Sequence, residues 1–85
     1  MPEITRFYGI RICMYFKPKE HEPSHIHAYY NEFSSEFNIH TLEMMEGGNL
    51  PRKAQKLVQE WLNLYQEALQ RMWDTQTIEE LPPLT

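Results

Sequence analysis

The stretch GIRICMYF, residues 9–16, alternates without a break: Ile10, Ile12, Met14 and Phe16 share one parity, Arg11, Cys13 and Tyr15 the other. A period of two over this length predicts a half-buried strand. KPKEHEP (17–23) follows as a polar loop punctuated by Pro18 and Pro23. From residue 25 the alternation returns, with Ile26, Ala28 and Tyr30 on one side and His25, His27 and Tyr29 on the other. FSSEFNIH (33–40) continues it, Phe33, Phe37 and Ile39 against Ser34, Glu36, Asn38 and His40.

A two-residue turn at Asn31-Glu32 closes these two runs into a hairpin. Tyr30 then pairs with Phe33, Ala28 with Ser35 and Ile26 with Phe37, while His27 falls opposite Glu36 and His25 opposite Asn38. Both strands agree on which face is apolar, and a slip of one residue would destroy that agreement. Asn31 suits a positive φ; Glu32 is poor chemistry for the second turn position, so a longer loop also fits. LEMME (42–46) predicts a short further arm before Gly47-Gly48.

The period changes at Pro51, which suits a first helical position. At 100° per residue, Ala54, Leu57, Val58, Trp61, Leu62, Leu64, Tyr65, Ala68, Leu69, Met72 and Trp73 fall on one half of the wheel. Such a stripe is about 180° wide, against the ~100° that one sheet contact requires. Either the tail folds back with Ile78, Leu81 and Leu84, or another chain covers the excess, with Leu62 and Trp73 as partner contacts. The end, LPPLT, cannot continue a helix.

The expected fold is therefore α+β: an antiparallel sheet of three to four strands (9–16, 25–30, 33–40, 42–46) with one long helix (51–74) packed across one face. The opposite face is left open. Residues 1–74 form a single domain and 75–85 an acidic, proline-containing C-terminal tail.

Composition narrows the function classes. Eighty-five residues, 41% of them hydrophobic, support one small domain and no membrane span. MPEITRF has no basic run followed by an apolar one, so no secretory signal is read there. Cys13 is the single cysteine, which excludes an internal disulfide and fits a reducing, cytoplasmic location. The net charge of −4 falls entirely in residues 59–85, where Arg71 faces Glu60, Glu67, Asp74, Glu79 and Glu80. Bulk charge thus argues against a sequence-independent grip on nucleic acid.

Candidate chemistry gathers on the open face. His25 and His27 stand roughly 6–7 Å apart along one strand, with Glu36 across from them and His40 further along. A meander of the first two strands adds Arg11, Cys13 and Tyr15, and His21 in the loop can fold over the strand end. Three readings fit. The face can be merely solvated. It can do acid–base chemistry: His25 and His27 exchange protons near neutral pH, Glu36 orients His27, and Arg11 and Tyr15 meet a phosphoryl group. That set suits metal-independent cleavage of RNA, with no cofactor. Or it can hold a divalent transition metal such as zinc, through His25 and His27 with Glu36, His21 or His40 completing a set of three. Arg52 and Lys53 in the first helical turn oppose the macrodipole, a placement that suits phosphate contacts. Cys13 is read as inert.

MPEITRFYGIRICMYF, HEPSHIHAYY, LPRKAQKLVQEW and the late Trp73 together resemble the bacterial family known as domain of unknown function 4160, over about residues 2–81. The carrying pieces are Met1-Pro2, Arg6 to Ile10, His21/His25/His27/Ala28, Leu50 to Ala54 and Glu60-Trp61. Ser24 stands where that pattern usually has a second proline, and Tyr65 where it commonly has a histidine. The resemblance implies a small cytoplasmic bacterial protein encoded beside another short protein (domain of unknown function 2442). Such a pair is toxin–antitoxin-like, this chain being the toxin and the neighbour its cognate partner. The leading expectation is a toxin acting on RNA through the histidine face. A non-catalytic, antitoxin-like interaction module and a small metal protein are the alternatives, and a second copy of the chain is the other candidate partner.

Overall fold

The structure, a computed structural model, describes residues 3–16 and 23–85. Four strands, β1 (Glu3–Phe7), β2 (Ile10–Cys13), β3 (His25–Tyr30) and β4 (Phe33–Asn38), form one antiparallel sheet in chain order, followed by the helix α1 (Arg52–Thr75). The α+β architecture is the expected one. The register of β3 with β4 also matches residue for residue, from Tyr30 opposite Phe33 to His25 opposite Asn38. Of the two turn residues only Asn31 has a positive φ, 53°. Glu32 is thereby spared the conformation that would have disfavoured it.

Three elements differ from expectation. β1 is not visible as a period of two because its register against β2 shifts between Glu3 and Thr5, so that Ile4, Thr5 and Phe7 are all buried. Its turn into β2 puts both Tyr8 (φ 49°) and Gly9 (φ 79°) in the left-handed region. Such a turn usually announces itself by Asn-Gly, not Tyr-Gly. The run expected as strand 9–16 ends at Cys13.

β4 stops at Asn38 for a local reason. The Asn38 Oδ1 accepts the backbone N–H groups of His40 and Thr41 at 2.7 and 3.0 Å, and the Asn38 carbonyl accepts Leu42 N–H. That side-chain turn competes with the ladder and wins. Leu42 then takes φ 67°, which no strand tolerates. The expected arm 42–46 is reduced to one bridge, Phe37 to Met44.

One face of the sheet, with Ile10, Ile12, Ile26, Ala28 and Phe37, joins Val58, Trp61, Leu62, Leu69 and Met72 of the helix in a single core. α1 begins one residue later than expected and ends one later, where Gln76 (φ 56°) caps it by donating its N–H to the Met72 carbonyl. Tyr65 departs from helical geometry (φ −118°, ψ 22°) and divides the helix into two runs. Trp61 of the first lies 6.0 Å from Phe7, and Trp73 of the second 5.1 Å from His25, between ring centroids.

The wide stripe is covered from within. The Trp61 indole N–H donates to the Pro82 carbonyl at 2.8 Å, Leu81 N–H to the Ile4 carbonyl at 3.2 Å, and Leu84 is buried. Helix glutamines, counted as solvent-facing from the wheel, tie down the loops instead. Gln55 donates to the Leu50 carbonyl, Gln59 to that of Leu42, and Gln66 to those of Ile39 and His40.

Leu62 is 0% exposed and Trp73 5%, so both expected partner contacts belong to this chain's own core; Leu64, 63% exposed, is the outward residue. Leu62→Ala is expected to lower unfolding free energy by about 2–5 kcal/mol in urea titration. Leu64→Ala should stay within about 0.5 kcal/mol. Equal effects would contradict this packing.

Candidate functional site

β2 pairs with β3 so that Cys13 lies opposite His27 and Arg11 opposite Tyr29. With His27 opposite Glu36 on the other side, period two sends Arg11, Cys13, His25, His27, Tyr29 and Glu36 to the face away from the helix core, and Tyr15, just past the end of β2, joins them against the His27 ring. The expected gathering of these side chains on one surface is what the structure contains.

The face is not uniformly open. Cys13 is 0% exposed and His25 only 3%, whereas His27, Tyr29 and Glu36 are half-buried. His25 was expected to point away from the helix, yet its ring touches Trp73 at the helix end. Its Nδ1 lies 2.7 Å from the Pro23 carbonyl oxygen. A carbonyl only accepts, so Nδ1 carries the hydrogen.

Glu36 also differs from expectation. It stands opposite His27 in register, but its Oε1 lies 3.6 Å from Nε2 of His25. The expected orienting carboxylate for His27 thus leans diagonally to its neighbour, a reach that a strand pair permits. The two imidazoles are 5.2 Å apart between centroids. One ligand atom from each of His25, His27 and Glu36 can be chosen so that all three lie within 4.8 Å of one another. A 3% exposed imidazole is badly placed to exchange protons with a substrate directly. The expected symmetrical acid–base pair of His25 and His27 is therefore an unequal one, a buried ring behind a half-exposed one.

A row of rings leads away from the cluster. His27 meets Tyr15 edge-on at 4.7 Å and lies nearly parallel to Tyr29, 16° between planes at 6.3 Å. The Tyr15 and Tyr29 hydroxyls are 3.0 Å apart, and the Arg11 guanidinium sits 5.0 Å over the Tyr29 ring. Among the described residues, Arg11 Nε is buried without a hydrogen-bond partner, and Glu3 Oε1 lies 3.9 Å from it. The hydrogen bond to Tyr29, and then burial, push the Tyr15 phenol above its ordinary range. Burial pushes the Cys13 thiol up against the opposing pull of Arg11. Tyr29 was not singled out from the sequence as a site residue, although its shared parity with His25 and His27 was the available signal.

Other expected members stand apart. His40 is exposed in the turn after β4 and is not in the cluster. His21 lies outside the described residues. Arg52 and Lys53 are exposed at the helix start, and Lys53 lines a groove with Ile10 and Tyr30, on the helix side of the sheet. The cleft beside His27, about 210 Å³ in volume, is lined instead by Tyr29, Ser34, Ser35, Glu36, Glu46, Gly47 and Gly48. The helix cations and the histidines therefore do not line one groove. Among the described residues, no helix is long and apolar enough to cross a membrane.

A family model described as Domain of unknown function (DUF4160) matches residues 9–74, from the start of β2 almost to the end of the helix. No curated protein and no solved structure matches the chain.

Burial and the upward shift both lower the thiolate fraction of Cys13. Iodoacetamide labelling at pH 8, followed by mass spectrometry, should be at least roughly tenfold slower in the folded protein than in urea. Equal rates would mean that the thiol is not shielded in the folded protein.

Proposed function

This chain belongs to the DUF4160 family, and on that premise we propose that it is a small toxin-like protein acting on single-stranded RNA through its histidine-bearing sheet face, and held in check by a partner protein. The observation that carries the reading is the row Arg11–Tyr29–His27–Tyr15, with a guanidinium at one end and the His25–His27–Glu36 cluster against the other. Single strands are held by rings on which bases stack and by cations that meet phosphates. A flat antiparallel face supplies both, side by side, without a deep pocket. Reactive groups at one end of the row are where a strand lying along it would be attacked.

The net charge of −4 sets the energetic character of this binding. With Arg11 as the cation in the row and Glu3 and Glu36 beside it, stacking rather than phosphate neutralisation must supply the affinity. The salt dependence should accordingly be shallow, a slope of about −0.7 to −1.4 in log K against log salt.

The test is fluorescence anisotropy with a labelled single-stranded oligoribonucleotide and its duplex. Preference for the single strand is expected, with binding weakened by about 1–3 kcal/mol in Tyr29→Ala. Induced expression of the wild type should arrest bacterial growth, and expression of an equally folded Tyr29→Ala should not. Absence of single-strand binding at low salt, or unchanged affinity in the variant, overturns the reading.

A further inference from the structure

We infer that His25, His27 and Glu36 form a binding site for a divalent transition metal of the zinc class. The inference stands on the geometry of these three side chains and does not depend on RNA as the substrate.

His25 is set up as an inner ligand. Its Nδ1–H donates to the Pro23 carbonyl at 2.7 Å, so Nε2 is the nitrogen that would coordinate. Histidines that bind metals are ordinarily oriented in this way, by a hydrogen bond from the other ring nitrogen to a carbonyl or carboxylate. Burial to 3% exposure and the Trp73 ring 5.1 Å away hold the imidazole in place. A ligand whose tautomer and rotamer are both set loses little entropy on binding.

Glu36 Oε1 faces that Nε2 at 3.6 Å. A cation between two such atoms, whether a proton or a metal ion, draws them together. A proton serves two atoms. A metal uses three, and a third is at hand, because one ligand atom each from His25, His27 and Glu36 can be chosen within 4.8 Å of one another. Bonds of 2.0–2.2 Å in a tetrahedron put ligand atoms about 3.3–3.6 Å apart. His25 and Glu36 already stand near that separation. The rest requires closure of about 1–1.5 Å, within reach of side-chain rotation in half-exposed His27 and Glu36.

The donor set selects the ion. Two imidazoles and one carboxylate, without thiolate, suit zinc, cobalt or nickel better than magnesium or calcium, which prefer all-oxygen shells. Three protein ligands would leave a position for water or a substrate oxygen. When bound, the ion would supply a Lewis acid beside that row.

The full chain should be dialysed against Zn²⁺, Ni²⁺ or Co²⁺ and its metal content measured. About one ion per chain is expected, with a four-coordinate Co²⁺ absorption band. Co²⁺ should quench tryptophan fluorescence, and the quenching should largely vanish in Trp73→Phe while Trp61 remains. Affinity should fall at least about tenfold in His27→Ala and in Glu36→Gln, and stay unchanged in His40→Ala. His27 and Glu36 are half-exposed, so these variants keep the test independent of folding, which His25→Ala would not. Metal content below about a tenth of an ion per chain, or a loss in His40→Ala equal to that in His27→Ala, overturns the inference. Metal uptake without RNA binding supports it and removes only the RNA reading; RNA binding by a chain that takes up no metal does the reverse.

Discussion

Across the Asn31–Glu32 turn, Ile26 lies opposite Phe37 and Ala28 opposite Ser35. Burying those positions beneath the helix leaves the odd-numbered residues of β3 no choice of face. A slip of one residue would drive His25, His27 and Tyr29 into a core of Val58, Trp61 and Leu62 and expose Ile26. Each imidazole buried without partners would cost several kcal/mol on the scale of polar transfer. The site is thus a by-product of the same register that makes the core. β2 extends it, since pairing Cys13 with His27 and Arg11 with Tyr29 adds a second column to the surface.

Polar side chains decide where regular structure ends. Asn38 takes two backbone N–H groups for itself and terminates β4. The Ser35 hydroxyl accepts Leu50 N–H, which fixes the approach to the helix, and Gly48 passes so close to Ser35 that a Cβ there would meet its Cβ at 2.7 Å. The glutamines of α1 satisfy loop carbonyls that the sheet no longer pairs. These contacts explain how a helix with so broad an apolar stripe serves a single chain: one part of the stripe meets the sheet, and the tail from Ile78 to Leu84 meets another.

Burial divides two histidines that look equivalent in the chain. His25 sits at the strand entrance, where the Pro23 carbonyl and Trp73 enclose it; His27, two residues on, remains half-exposed among tyrosines. An enclosed ring with one nitrogen engaged is suited to hold something still, and an accessible ring to meet it. That asymmetry favours a ligand cluster over a matched proton-exchanging pair. The adjoining ring row gives the cluster a surface on which an extended, stacking partner can lie.

Alternation in residues 9–13 and 25–38, and the 3.6-residue period from Ala54 to Trp73, were enough to determine β2, the β3–β4 hairpin and its register, the helix and the parity that His25 and His27 share. Those are properties of nearest neighbours along a strand or helix, and burial of one face enforces them locally. The strand Glu3–Phe7 was hidden by its bulge, and the false arm at 42–46 came from reading apolar residues where Leu42 had already left the β region. How the tail covers the helix stripe, which histidine was buried, and which imidazole Glu36 approached were decided only by tertiary structure. Each depends on residues far apart in the chain, Trp61 with Pro82 and His25 with Trp73. Contacts of that kind leave no period in the sequence, because they are set by the bend of a helix and the path of a tail rather than by the spacing of neighbours.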